Sequence, residues 1–324
     1  MTIETPSRRL ARAARICRWF PPVISGRLLQ MLYPFSLAER EDVPFQARSS
    51  LGDLTFAYDR AAKMAHAFAV RGFYEWRNIV IANTLCRPGD TIIDVGANFG
   101  TETIHFALVV GKTGNVVAFE PLPEAYEVLK SAVERNNLTQ VSLNRKAVAA
   151  QAGTFAFTVP VDERNLGTGS LLAAEKSQGE KIEVEVLVLD DLYAAGEFQA
   201  PRLIVMDVEG VELDVLRGAS RILEDSAPTI VMEVNPPLLK QRDESPQTTA
   251  NFFAERDYAC YQISSWGLRQ PDMSDRIVNW VCIAQRHDPH RTARRLTSAL
   301  RRAALLPLWR GLNPAVVGGN DRKR

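Results

Sequence analysis

TIIDVGANFG, residues Thr91 to Gly100, is the stretch on which the reading of this chain turns. Ile92, Ile93 and Val95 form a short apolar run of the kind that parallel sheets bury on both faces. The run carries an acid, Asp94, and leads into a Gly-x-x-x-Gly loop. Gly96 and Gly100 allow the backbone to turn sharply and to pass close to a ligand. A helix expected from Thr101 then turns its unpaired first-turn amides toward the crevice. Asp94 adds a carboxylate able to hold a positive group. A ligand carrying both an ammonium and a carboxylate suits this arrangement better than a phosphate ester does.

The dinucleotide fingerprint needs Gly-x-Gly-x-x-Gly, with the second glycine where pyrophosphate touches the backbone. Asn98 stands at that position, so the spacing argues against NAD. A second apolar run, Val116 to Phe119, ends in Glu120, 24 residues after Gly96. An acid at that distance is placed to bind two ribose hydroxyls. Loop and ribose acid together describe S-adenosylmethionine (SAM) as well as any ligand.

Working outward, strand and helix patterns alternate as in a doubly wound α/β domain. A helical pattern covers 60–85, and strand 91–95 leads to helix 101–110. Strand 116–120 precedes a helix that starts at Pro123 and turns Tyr126, Leu129 and Val133 inward. A third strand is expected over 141–148. Runs 154–159 and 182–189 then read as an inserted β pair, and the loop between them, with Gly167, Gly169 and Ser170, suits a flap over substrate. Strand 203–207, helix 212–223 and strand 229–233 resume the alternation. Closing strands 259–263 and 280–284 lack a helical crossover, which suggests an antiparallel edge.

Charge divides the chain sharply. The whole carries +1, but residues 1–40 hold seven arginines against two acids, and residues 287–324 hold nine basic residues against two acids. The body between them, 41–286, has 34 acidic and 23 basic residues. Each end can form a basic amphipathic helix. Arg8, Arg9, Arg12, Arg15 and Arg18 oppose Leu10, Ala13, Ala14, Cys17 and Phe20, and Pro21-Pro22 would end that helix. Arg291, Arg294, Arg295, Arg301 and Arg302 oppose Leu296, Ala299, Leu300 and Ala303 before Pro307. With Trp19 or Trp309 beside them, such helices can lie on an anionic membrane; the alternative is that each packs its apolar face on the body. Aromatic residues for base stacking are sparse in both tails, which disfavours nucleic acid. Ser7-Arg8-Arg9 lacks the apolar segment a twin-arginine signal needs, although an Arg-rich, acid-poor start also fits a transit peptide. No apolar run reaches transmembrane length. Cys17, Cys86, Cys260 and Cys282 form no Cys-x-x-Cys pair, consistent with a reducing compartment and no zinc site. The expected location is cytoplasmic, with peripheral contact on the cytoplasmic membrane face as an open extension.

Further residues give a resemblance. DVGANFG (94–100), FEP (119–121), LDDL (189–192), MDVEGVELDVLRG (206–218) and MEVN (232–235) occur in order. Over roughly Asp90 to Gln285 the chain resembles the FkbM-type family of SAM-dependent methyltransferases, and the DVEG run makes the likeness specific. Thr101-Glu102-Thr103 departs from the family, which more often has small or aromatic residues there. The resemblance implies a class I methyltransferase fold: a mostly parallel seven-stranded sheet with an antiparallel edge strand, here flanked by basic helical extensions. It divides the chain into a basic extension (1–59), a methyltransferase domain with a β insertion near 153–190 (60–286) and a basic tail (287–324). It implies that Asp94, Gly96, Asn98, Gly100 and Glu120 hold SAM; Ala147 would border adenine by position. The acceptor class it implies is a hydroxyl of a sugar, glycan or natural product. Amine methylation, a non-catalytic nucleoside-binding scaffold and an NAD or nucleotide-sugar oxidoreductase remain as alternatives.

Ligands of open α/β sheets bind beyond the carboxyl ends of the strands, and Asp94, Glu120, Asp207 and Glu233 fall there. Methyl transfer is an in-line displacement governed by positioning, but a hydroxyl acceptor must also lose a proton. Asp207 is the expected acid or base, supported by Glu209, which points the same way if the strand continues through both. Glu233 and Asn235 are expected to face substrate. Magnesium between Asp207 and Glu233 is a lesser alternative; no metal is expected. His66 and His105 are rival bases inside helical patterns.

Overall fold

The computed structural model describes residues 7–159, 169, 171 and 179–317. Gly167 and Ser170 of the expected flap lie outside them. Among the described residues the strands are β1 (Phe45–Arg48), β2 (Thr55–Tyr58), β3 (Thr91–Val95), β4 (Asn115–Phe119), β5 (Val141–Asn144), β6 (Ala147–Val148), β7 (Gly153–Thr158), β8 (Lys181–Leu187), β9 (Pro201–Met206), β10 (Thr229–Val234), β11 (Tyr258–Ser264), β12 (Gly267–Arg269) and β13 (Val278–Ala284). All five residues of β3 are buried, as its apolar run requires for a strand with neighbours on both sides and helices on both faces.

The main sheet has the order β12-β11-β13-β10-β9-β3-β4-β5. β5, β4, β3, β9 and β10 run parallel, joined in register from Val116↔Val141 to Met232↔Met206. β13 is antiparallel to both β10 and β11. The class is the expected doubly wound, mostly parallel α/β sheet. Two details go beyond it. The antiparallel strand lies inside the sheet, because Trp280, Val281, Cys282 and Ile283 are fully buried and need neighbours on both sides. The edge falls to an eighth, three-residue strand, β12, which ends in exposed Arg269.

Other expected elements are divided. The helical run at 60–85 becomes helices Lys63–Arg71 and Trp76–Leu85, separated by left-handed Gly72. The run at 212–223 becomes helices Glu212–Arg217 and Ser220–Asp225, broken where the Gly218 carbonyl accepts from the Asp190 amide at 2.9 Å. The strand expected over 141–148 splits at Arg145-Lys146: β5 ends the main sheet, while β6 joins β8 and β7 in a separate three-stranded sheet. Lys146 ties the two regions together by pairing with Glu185 at 2.6 Å.

Both basic ends are built into the body. Helix Arg8–Cys17 buries Leu10, Ala13 and Cys17 against helix Lys63–Arg71. Arg18 donates to the Val70 and Ala69 carbonyls at the end of helix Lys63–Arg71 and to the Arg48 carbonyl of β1, at 2.7–3.1 Å. Helix Pro289–Leu305 buries Leu296, Ala299, Leu300 and Ala303 against helix Trp76–Leu85 and β12. One continuous cluster of buried side chains takes in Leu10, Leu29, Phe56, Ile92 and Leu300, so the terminal segments share a core with the body. Cys260 and Cys282, far apart in sequence, face each other across β11 and β13 with sulfurs 2.7 Å apart. Among the described residues, no helix is long and apolar enough to cross a membrane.

Candidate active site

One cavity opens beyond the carboxyl ends of β3, β4, β9 and β10. Its lining includes Asp94, Gly96, Asn98, Glu120 and Ala147 on one side and Asp207 and Glu233 on the other. The loop after β3 is fixed by backbone chemistry. Gly96 and Ala97 amides both donate to the Phe119 carbonyl, at 2.9 and 3.0 Å. Gly96 has φ +81, and a Cβ there would lie 2.1 Å from the Asp207 carbonyl oxygen. Glycine is therefore required by conformation and by the approach of the β9 segment. Gly100, φ +77, is not in the lining; a Cβ there would meet Leu129 at 2.4 Å, so this glycine seats the loop on helix Pro123–Arg135.

Glu120 closes the loop. Its Oε2 accepts from the Asn98 amide at 2.8 Å and its Oε1 from the Leu122 amide at 2.9 Å. Burial raises its pKa to about 7 despite these bonds. Asp94, also buried, accepts from Thr103 Oγ1 at 2.6 Å, and burial lifts its pKa to about 6. The Asn98 side-chain oxygen is buried with no partner among the described residues, an acceptor left for a ligand.

The opposite wall is a gathering of carboxylates. Asp207 is exposed toward the cavity with protein packed around it, and burial, then Glu233, Glu209, Glu212 and Glu75, raise its pKa. Glu233 rises too, through burial, while its bond from Asn235 Nδ2 at 3.1 Å opposes the rise. Asn235 itself is buried outside the lining and reaches the cavity only through Glu233. Glu209 is also outside it: β9 ends at Met206, and Glu209 occupies a left-handed turn with φ +53, so the two-residue alternation assumed from sequence does not extend to it.

Residues ahead of the glycine loop complete the cavity without any signal in their own sequence. Tyr74, Glu75 and Asn78 line it from the start of helix Trp76–Leu85. Asn78 Nδ2 donates at 2.9 Å to Glu102, the acid at the family departure, whose pKa burial, Glu75 and Asp94 drive well upward. Phe157, Gly169 and Leu171 of the inserted region also line the cavity. His66 and His105 do not. Each is buried against backbone, His66 at the Tyr33 carbonyl and His105 between the Thr101 carbonyl and Ser49 Oγ; burial lowers the pKa of both, of His105 to about 4. Among the described residues no group of three His, Cys, Asp or Glu side chains is placed to hold a metal.

Comparison with known proteins gives the family. The chain is 30% identical over 146 residues to a hexuronic acid methyltransferase, AglP, of Haloferax volcanii, a match covering 45% of this chain and 56% of the relative. The chain therefore spans little more than half the length of that relative. It is 28% identical over 196 residues to the 31-O-demethyl-FK506 methyltransferase FkbM of Streptomyces tacrolimicus, covering 51% and 75%. A solved methyltransferase FkbM from Methylobacillus flagellatus superposes with a TM-score of 0.40 at 19% identity, over 60% of this chain and 43% of that one. The family model described as the methyltransferase FkbM domain matches residues 94–260, from the acid of the glycine loop into β11. The chain belongs to the FkbM methyltransferase domain family.

Proposed function

We propose that this chain is a SAM-dependent O-methyltransferase acting on a hydroxyl of a sugar, glycan or natural product. The observation that carries the reading is the convergence of the Gly96 loop, Asp94, Asn98 and Glu120 on one cavity with Asp207 and Glu233 across from them. The residues fit the cofactor. SAM brings two positive centres, sulfonium and ammonium, into a lining rich in carboxylates, and its ribose and amino groups find acceptors in Glu120, Asp94 and the unpartnered Asn98 oxygen. Bound SAM supplies the methyl group on its sulfonium. Ala147 and Val148, at the cavity edge, border the nucleoside by position.

Asp207 receives the acceptor hydroxyl's proton in this reading, and Glu233, oriented by Asn235, positions the acceptor. Burial and neighbouring carboxylates raise the pKa of Asp207, and burial raises that of Glu233; a cationic ligand beside them opposes both shifts. The acceptor class is supported by the two relatives, whose names specify a hexuronic acid and 31-O-demethyl-FK506. Peripheral contact with an anionic membrane on the cytoplasmic side belongs to the same reading.

Calorimetry with SAM, followed by transfer of labelled methyl to a panel of hydroxylated glycans and metabolites, tests the assignment. SAM binding with transfer to oxygen is expected; a protein that ignores SAM would overturn it.

A further inference from the structure

The core takes Leu10, Ala13 and Cys17 of the first helix and Leu296, Ala299, Leu300 and Ala303 of the last, yet an apolar surface remains, Phe20 included. Ile16, Trp19 and Phe20 at the end of the first helix are exposed, as are Leu305, Trp309 and Leu312 at the end of the last. Trp19 is 63% and Trp309 50% exposed, and their rings meet edge to face with centroids 6.2 Å apart. Helix Pro22–Leu32 packs against both terminal helices and adds Ile24 and Met31, which share one face at helical spacing and are 44% and 77% exposed. Side chains of this size and kind gathered on one surface mark a contact site.

Arginines rim it. Arg12 and Arg15 precede Ile16 and Trp19 on the same helix, Arg27 lies between Ile24 and Met31, and Arg302 is one turn before Leu305; all are exposed, and none pairs with an acid among the described residues. Two copies of so basic a face repel each other, and nucleic acid offers no hydrocarbon for Ile16, Met31, Leu305 and Leu312. A bilayer with anionic headgroups complements both halves: tryptophan and aliphatic side chains enter the interface while guanidinium groups meet phosphate.

One edge of this surface, at Leu305, approaches the cavity end of the sheet. β11 runs parallel to β10, since β13 is antiparallel to each, so the turn after β11 lies at the cavity end of the sheet. That turn carries exposed Trp266, whose carbonyl accepts from Arg301 Nε at 2.9 Å, one turn before Leu305. Ser265 beside it accepts from Arg77 at 3.1 Å, next to Glu75 and Asn78 of the lining.

We propose that Trp19, Trp309, Leu305 and their neighbours, with Arg12, Arg15, Arg27 and Arg302, seat this face of the protein on an anionic bilayer, its Leu305 edge bringing the cavity toward an acceptor carried at the membrane surface. The acceptor clause rests on the methyltransferase reading; the docking does not.

Co-sedimentation of the full chain with vesicles of phosphatidylcholine alone, or mixed with phosphatidylglycerol, tests it. Binding to the mixed vesicles is expected, weakening with salt. Combined Trp19→Ser and Trp309→Ser changes should lower the partition on the order of tenfold, and Arg12→Ser or Arg15→Ser roughly fivefold each, with SAM affinity unchanged. Quenching of wild-type tryptophan fluorescence by brominated lipid serves if the double variant does not fold. No partition, equal partition into neutral vesicles, or a face that instead dimerises or binds duplex DNA in competition with vesicles would overturn the docking. Loss of SAM binding would strike only the cofactor reading, so either can fail alone.

Discussion

The two walls of the cavity are made by different means. On the glycine-loop side, backbone does the fixing: Glu120 has both oxygens on amides, and Gly96 is pressed against the Asp207 carbonyl. On the far side the acids are held by side chains and by one another: burial raises the pKa of Asp207 and Glu233, and neighbouring carboxylates add to the rise, while only Asn235 opposes it, at Glu233. A wall set by backbone holds a constant ligand. A wall of mutually repelling acids is stable when protonated or when a cation arrives, and its side chains can change with the acceptor while the sheet stays as it is.

The harshest way to break this contrast is at Asp207. If it takes the acceptor proton, Asp207→Asn should lower turnover by roughly 10²–10⁴-fold while SAM affinity, measured by calorimetry, changes little. Loss of SAM affinity with turnover of bound cofactor intact would move Asp207 to the other wall. Gly96→Ala tests that other wall. A left-handed alanine whose Cβ overlaps the Asp207 carbonyl must displace the loop, weakening SAM by about 3 kcal/mol, roughly a hundredfold. Circular dichroism should show the fold retained, and unchanged affinity would remove the loop from the cofactor site.

Glu120→Gln is milder and sharper. The amide replaces one acceptor oxygen with a donor opposite a backbone N–H, at Asn98 or at Leu122. A loss of about 1.5–3 kcal/mol in SAM affinity is expected, and an unaltered affinity would mean that this acid serves the loop alone.

The acids also fix a pH dependence. The folded pKa of Asp94 is about 6 and that of Glu120 about 7, both above their unfolded values, so between about pH 4 and 7 the folded protein holds protons that the unfolded chain has released. Stability of the unliganded protein should therefore be fullest at the low end of this window and fall as pH rises through about 7. Affinity for cationic SAM should move the opposite way, rising by up to about tenfold per pH unit for each proton released. Melting curves with and without SAM across this range check both signs; a parallel fall would show that the carboxylates do not meet the cation.

How far the sequence foretold each wall follows from the same distinction. β3, β4, the loop and Glu120 are contiguous and depend on local backbone geometry, so their residue types announce them. The DVEG run announced Asp207 but not the direction of Glu209, because a left-handed turn after Met206 ended the alternation. Glu75 and Asn78 carried no signal: they reach the cavity only because Gly72 breaks a helical run and the next helix begins at the rim. The terminal helices showed their amphipathic pattern plainly, yet the pattern could not tell burial on the body from exposure to a membrane. That choice depended on helix Lys63–Arg71 and on β12, far away in sequence.

Glu209 supplies the smallest effect and the finest division between the walls. It is half-buried in its turn, its pKa lifted to about 7 by burial and then by Glu233 and Glu212, and it raises the pKa of Asp207 from outside the lining. Glu209→Gln removes that charge without touching a ligand. The maximal turnover, on the plateau of the pH–rate profile, should stay within about a factor of two. The acidic limb of the pH–rate profile should shift to lower pH, since Asp207 then loses its proton more readily. A unit of carboxylates acting jointly on the acceptor would instead lose turnover at every pH, because removing one member of a catalytic set costs nearly as much as removing all of them.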